Sequence, residues 1–389
     1  MGILTSSAQD SIFIIAGESS GDLHGAGIVR EIRRLRPQYH LWGVGGERMR
    51  AAGQEQFYST REMAIIGFTE VVKHLPFILK VMGHLEAEVR KRKPACAILI
   101  DYPGFNLRFA SRLKKLGIPI FYYIAPQVWA WGARRIPQMA KLLDHLAVVF
   151  PFEVELFASR GLPATFVGHP LLEGLHVRES KRAFTGKNHI QAGAPLLGLL
   201  PGSRIKEVEN LLPDMLGAAQ KLSERIPGLH AVIAQAGDIR TQVYQNILSR
   251  FNLRNVHLCL ESTYEIMSHS DACLVASGTA TLETGCFGTP LVVVYRTSKL
   301  TYAIARRLVK LDKIGLVNIV AGEKVAPELI QEAFTPDAAT DALLPYFTDP
   351  TVRENTVEKL RTVRGKLGKP GASERVAQLA LDLVWQKKT

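Results

Sequence analysis

The chain reads as an α/β protein of two doubly wound, Rossmann-like domains facing each other across a cleft. Three observations carry that reading. Short apolar runs alternate with helical patterns, which implies right-handed crossovers and a parallel sheet covered on both faces. The alternation stops at a polar, irregular stretch and then starts again. At 389 residues the chain is long enough for two self-sufficient cores.

In order, the first series of strands is Ile12 to Ala16, His40 to Val44, Ala95 to Ile100, Ile118 to Ile124, His145 to Val149 and Thr165 to Val167. His176 to Pro195, with Arg178, Glu179, Lys181, Arg182 and Gly193, reads as a linker. The second series is Leu196 to Leu200, His230 to Ala234, Val256 to Cys259, Ala272 to Val275 and Leu291 to Val294. Arg353 to Leu367 and Ser373 to Trp385 read as closing helices split by the break Gly368 to Gly371. The expected domains are therefore 1–175 and 176–350, with 351–389 as closing helices.

Composition narrows the class of function. With 47% hydrophobic residues the chain is neither a disordered tail nor a collagen-like rod. The 48 Lys+Arg against 36 Asp+Glu leave a net charge of +12, which suits an anionic partner but does not choose among nucleic acid, lipid headgroups and nucleotide phosphates. Cys96, Cys259, Cys273 and Cys286 show no CxxC spacing and read as buried thiols of a reducing compartment. Met1 to Asp10 lacks a secretory pattern. The greasiest stretch, Met63 to Met82, is interrupted by Glu70, Lys73, His74, Pro76 and Lys80, so no membrane-spanning helix is expected.

Ligands bind at the carboxyl ends of such sheets, so the loops after the strands matter most. After Leu196 to Leu200 comes Pro201-Gly-Ser-Arg204, where Gly202 would let backbone approach an anion, Ser203 offers a hydroxyl, and the Arg204 fork matches phosphate oxygens. The same residues fit an ordinary capped helix with a surface arginine. After Ala272 to Val275 comes Ala276-Ser-Gly-Thr-Ala-Thr-Leu-Glu283. Ser277, Gly278 and Thr279 would leave helix-terminal N–H groups open to a diphosphate, and Glu283, one turn beyond Thr279, suits two ribose hydroxyls. A tight strand-to-helix junction is the alternative.

In the first half, Ala16-Gly-Glu-Ser-Ser-Gly-Asp22 looks like a glycine-rich phosphate turn but matches neither GxGxxG nor a P-loop. As an acceptor-binding turn it would offer Glu18, Ser19, Ser20 and Asp22, with Ser20 or Asp22 capping the next helix. Asp101 ends an apolar run and could take a proton from an attacking hydroxyl, or it could simply start a turn before Pro103. Trp129 and Trp131 could stack on a sugar face or fill a core, and His169 reads as structural. Ile65, Phe68, Val71 and Leu75 belong to an apolar surplus followed by Arg90-Lys-Arg-Lys93, which suits either an anionic bilayer or a core helix with a solvated basic end. Tyr295 to Lys313 is a second basic, apolar segment.

Taken together, Ala16-Gly-Glu-Ser-Ser-Gly-Asp22, Ile100-Asp-Tyr-Pro-Gly-Phe-Asn106, Pro126-Gln-Val-Trp-Ala-Trp131, Leu200-Pro-Gly-Ser-Arg204 and Ala276-Ser-Gly-Thr-Ala-Thr-Leu-Glu283, with Val317-Asn318 and Ala321-Gly322 downstream, resemble the lipid-A-disaccharide synthases over nearly the whole chain. The resemblance implies a GT-B glycosyltransferase that moves 2,3-diacylglucosamine from UDP-2,3-diacylglucosamine onto 2,3-diacylglucosamine 1-phosphate. The transfer would be inverting, with a β-1,6-linked disaccharide and UDP as products. It places the essential carboxylate at Asp101, donor contacts at Arg204, Glu283 and the intervening helix end, and a further functional position at Asn318. Where relatives have a second acid, this chain has Gly104. The first domain would bind acceptor and membrane, and the second the UDP-sugar. No metal, cofactor or nucleic acid is implied, and a second copy of the chain is left open as a partner. The expected location is the cytoplasm, peripheral on the inner face of the bacterial inner membrane. Two competing readings are a UDP-N-acetylglucosamine 2-epimerase-like isomerase, which needs no greasy surface, and a non-enzymatic lipid or nucleic-acid binder, which leaves Asp101 without a role.

Overall fold

The computed structural model describes residues 11–64, 71–298, 302 and 313–386. The chain forms two compact units, Met1–Glu173 with Leu367–Thr389, and Gly174–Lys366. In the first, β1 (Ser11–Ala16), β2 (His40–Gly45), β3 (Glu55–Ser59), β4 (Cys96–Ile100), β5 (Ile120–Tyr123), β6 (His145–Val148) and β7 (Ala164–Phe166) form a parallel sheet ordered β3-β2-β1-β4-β5-β6-β7. In the second, β8 (Leu196–Leu200), β9 (His230–Gln235), β10 (Val256–Leu260), β11 (Ala272–Ala276), β12 (Leu291–Tyr295) and β13 (Glu328–Ile330) are ordered β10-β9-β8-β11-β12-β13, again all parallel.

The central strands are buried at every residue, because helices cover both faces of a parallel sheet; Ser-Ile-Phe-Ile-Ile-Ala and Leu-Leu-Gly-Leu-Leu are the sequence form of that burial. The helix Ile205–Arg225 covers the second sheet with Val208, Leu211, Leu212, Met215, Leu216, Ala219 and Leu222, a stripe at three- and four-residue spacing. In each sheet the strand order reverses direction once. There Ala16 of β1 lies opposite Ile100 of β4, and Leu200 of β8 lies opposite Val275 of β11. The loops that follow these four strands therefore emerge in neighbouring pairs at the carboxyl edge, the usual ligand position in an open α/β sheet.

Four readings of the sequence change. The stretch read as a linker is packed structure of the second unit: Ser180 caps the helix Lys181–Lys187, accepting from Ala183 N, and Phe184 is fully buried. The closing helices do not stay together. Pro350–Lys366 packs in the second unit through Leu360 and Val363, whereas Ala372–Gln386 belongs to the first, where Glu173 accepts hydrogen bonds from Ser373 N (2.9 Å) and Oγ (2.8 Å). The edge strands β3 and β13 were not expected, being short and only partly buried. Part of the apolar surplus proves to be core: in the helix Val71–Arg92, Ile78, Val81, Met82, Leu85 and Val89 are buried, while Leu75 and Leu79 stay 47% and 51% exposed. Ile65 and Phe68, and most of Tyr295 to Lys313, lie outside the described residues, and Val71 begins the helix.

Candidate active site

Asp101 and Tyr102 follow β4 in the left-handed region, at φ 46° and 47°. Two consecutive non-glycine residues there cost on the order of 1 kcal/mol each, so the surroundings must hold them. They do. Asp101 N donates to Tyr123 O (2.9 Å), and Asp101 O accepts from Tyr122 Oη (2.6 Å) and Asn106 Nδ2 (2.8 Å). Burial, followed by the negative charge of Glu18 and opposed by a bond from Tyr102 N–H, raises the Asp101 carboxyl to about 6. An acid titrating there is ionised at neutral pH yet basic enough to accept a proton. A Cβ on Gly104 would meet nothing within 4 Å, so this chain lacks the second acid without steric need.

The neighbouring turn after β1 is built differently from its first reading. A Cβ on Gly17 would lie 2.2 Å from the Tyr102 ring, so the glycine makes room for that ring and not for a phosphate. Glu18, Ser19 and Ser20 are exposed at the start of the helix Ser19–Leu35. Asp22 is buried and accepts from Gly46 N (2.7 Å), Arg48 N (3.2 Å) and Met49 N (3.0 Å). It caps the start of Glu47–Ala52, a helix other than its own. That corrects its placement as an acceptor contact, because the carboxylate is committed to backbone N–H groups.

Trp129 is half-buried, and its indole N–H donates to Glu153 Oε1 (3.1 Å). Glu153 is 1% exposed, also accepts from Phe150 N, and is pushed up to about 7 by burial. Sequence reading missed this acid, which lay among apolar residues with no motif around it. Trp129 meets Phe150 and Phe152 edge-on. His169 is neutral, pushed down to about 4 by burial, and its Nδ1 accepts from Leu171 N.

In the second unit, a pocket of about 400 Å³ is lined by Gly202, Ser203, Arg204, Glu207, Ser277, Gly278, Thr279 and Glu283 among others. The helix Thr279–Phe287 opens into it with no side chain capping its N-terminus. Thr281 N turns back to Gly278 O (3.2 Å), so the anion site rests on the N–H groups of Thr279 and Ala280 and on the helix dipole. Arg204, 82% exposed, touches Glu207 Oε1 (3.1 Å), a weak surface pair that leaves most of its donors for a ligand. Glu207 Oε2 accepts from Ser203 N (3.1 Å) and Arg204 N (3.3 Å), so these N–H groups are spent within the loop. Gly202 is at φ 111°, with the place of its Cβ 2.3 Å from Glu207 Oε2, so the folded-back glutamate, not an anion, demands glycine.

Glu283 Oε1 accepts from Tyr264 Oη (3.2 Å), and burial raises its carboxyl above the usual range. Tyr264, which orients it, had no sequence signal. Ser277 Oγ donates its one proton to Ile314 O (3.1 Å), so it can offer a phosphate no donor from its side chain. Asn318, expected to touch the donor, is fully buried. Its Nδ2 donates to Ala326 O and Glu328 Oε1 (both 2.8 Å), and its Oδ1 accepts from Val325 N (2.8 Å) and Ala326 N (2.9 Å). All four of its bonds are used. Its place is therefore beneath the pocket: Glu328 also accepts from Gly315 N and Ile314 N, the residue whose carbonyl holds Ser277.

Comparison with known proteins places this arrangement. Solved structures share the fold at low identity: a putative UDP-N-acetylglucosamine 2-epimerase from Listeria monocytogenes (TM-score 0.67, 10% identity, 98% of each chain) and a calicheamicin glycosyltransferase (TM-score 0.63, 16% identity, 98% of this chain and 100% of the other). The lipid-A-disaccharide synthase of Syntrophus aciditrophicus is 42% identical over 96% of this chain and 97% of its own. That of Geobacter sulfurreducens is 40% identical over 98% and 99%. The sequence pattern of the lipid-A-disaccharide synthetase family matches residues 12–382. The chain belongs to the lipid-A-disaccharide synthase family.

Proposed function

We propose that this glycosyltransferase moves a 2,3-diacylglucosaminyl group from UDP-2,3-diacylglucosamine to the 6-hydroxyl of 2,3-diacylglucosamine 1-phosphate, with inversion, giving the β-1,6-linked disaccharide 1-phosphate and UDP. The observation that carries the reading is the pairing of functions at the two sheet reversals. A half-buried carboxylate raised to about 6 stands at one, and an uncapped helix end with an exposed arginine stands at the other. Ionised Asp101 takes the hydroxyl proton, and the oxygen attacks the anomeric carbon from the face opposite UDP. The bond to the diphosphate breaks, and its electrons go to an oxygen stabilised by Arg204 and the helix N–H groups. Glu283 accepts from the ribose hydroxyls. A depression lined by Glu261, Thr263 and Tyr264, sharing Thr263 with the pocket, leaves room for the rest of the nucleoside.

Acceptor recognition falls to the exposed Glu18, Ser19 and Ser20 and to the Trp129 wall. An isomerase reading is not favoured, because the epimerases match at 10 to 15% identity, which speaks for the fold alone, while the synthases match at 40% and above. Incubating the protein with both acylated sugars and following UDP and disaccharide by mass spectrometry tests the reaction. Epimerised donor, or no product, would reject it.

Acyl chains leave a bilayer at roughly 0.8 kcal/mol per methylene, so the enzyme goes to the cytoplasmic face of the inner membrane as a peripheral protein. No described helix is long and apolar enough to cross it. Exposed Leu75 and Leu79, one turn apart beside Lys80, support docking there. Leu75→Ser with Leu79→Ser should reduce co-sedimentation with anionic vesicles and leave the melt unchanged, whereas Leu85→Ala, in the core, should cost about 2–5 kcal/mol. Unchanged vesicle binding in the double variant would reject docking through this face.

A further inference from the structure

We infer that Tyr122 and Asn106 are positioning residues that hold the Asp101 carboxylate in its working orientation by gripping the backbone on both sides of its Cα. The inference rests on the reading of Asp101 as the base. Tyr122 comes from β5 and Asn106 from the helix Pro103–Lys115, and both are fully buried.

Asn106 Nδ2 donates to Ile100 O (3.2 Å) and Asp101 O (2.8 Å), Tyr122 Oη donates to the same Asp101 O (2.6 Å), and Asp101 N donates to Tyr123 O (2.9 Å). The peptide planes before and after the Asp101 Cα are thus both pinned. With φ and ψ held, only the side-chain torsions remain free. The conformation held is one an aspartate seldom adopts, at φ 46°, and left-handed strain of this kind collects where the geometry serves a reaction.

Asn106 supplies a second argument. Its Oδ1 is buried without a hydrogen-bond partner among the described residues. An unpaired buried acceptor is destabilising, so a nonpolar residue would suit this core better unless the two N–H bonds matter. Those bonds go only to the catalytic turn.

The test uses the full-length enzyme with both acylated substrates. Tyr122→Phe keeps the ring and removes one grip; Asn106→Ser is the second variant. Each should lower kcat tenfold or more with UDP affinity within twofold of the parent. Each should also shift the acid limb of the pH–rate profile, which a loss of folded protein cannot do. Added to Asp101→Asn, Tyr122→Phe should cost less than a further twofold, because the group it positions is gone. A folded Tyr122→Phe enzyme with kcat within twofold of the parent would overturn the inference. So would an equal loss in the Asp101→Asn background, or losses in both variants that match the unfolded fraction. Near-normal turnover in Asp101→Asn alone would instead remove the base assignment itself.

Discussion

In the proposed reaction, the two loop pairs at the sheet reversals face opposite demands. After β4, Asp101 is strained, half-buried and pinned through its backbone, with its charge disfavoured by burial. After β8 and β11, the charged group is exposed and loosely paired, and the helix end opposite is uncapped. A proton acceptor needs a tuned pKa and fixed geometry, which burial provides. A clamp for a departing diphosphate needs charge that can move onto its ligand, which an exposed arginine provides. The difference teaches that the same position in two similar sheets can be made rigid or adaptable by what lies beneath the turn.

The largest effect that would break this contrast is at Asp101. Asp101→Asn should reduce turnover by about 100- to 10,000-fold with UDP affinity unchanged. In the parent, kcat/KM should rise with pH through about 6, as the carboxylate ionises, and level off above it. The sign for stability is the reverse. A carboxyl whose folded value lies above its unfolded one loses stabilisation as pH rises between about 4 and 6. Asp101→Asn should therefore melt above the parent at pH 7 to 8, and a lower melt would contradict burial as the cause.

Next come the residues of the second loop pair. Arg204→Ala and Glu283→Ala should each weaken UDP binding by about 1.5–3 kcal/mol in calorimetric titration, with Tyr264→Phe a smaller loss because Glu283 remains. An unchanged titration in Arg204→Ala would show that the exposed arginine does not reach the diphosphate.

The smallest expected effect on binding, and the sharpest on the distinction between contact and support, is at Asn318. Asn318→Leu takes their partner from Val325 N, Ala326 N and Ala326 O and one of several donors from Glu328, so it should destabilise the second unit by about 1–3 kcal/mol. UDP affinity should fall only as far as the Ser277 turn loosens. A large loss of UDP affinity with an unchanged melt would make Asn318 a direct contact.

Much of this protein was legible before folding. Unbroken apolar strands such as Cys-Ala-Ile-Leu-Ile are buried on both faces whatever lies around them, so the two doubly wound sheets and the loops at their carboxyl ends follow from local pattern. Asp101, Arg204, Glu283 and Trp129 stand out for the same reason, each following a strand with side-chain chemistry that a turn does not need. Edge strands β3 and β13 were hidden because half-exposed segments of five and three residues carry no periodicity to detect.

What only the tertiary structure decided is which polar groups are already spoken for. Asp22 and Asn318 looked available in one dimension, yet backbone groups from 24 or more residues away in one case and 7 or more in the other claim their atoms. Gly17 and Gly202 resembled phosphate glycines, but a tyrosine ring and a folded-back carboxylate occupy the space a Cβ would need. Glu153, Tyr264 and Tyr122 acquire their roles only through partners distant in sequence. A strand or helix is set by neighbours along the chain, so its pattern is written there. The partner of a buried polar atom, and the pKa that burial imposes, depend on which distant segments close around it, and only the folded chain brings those together.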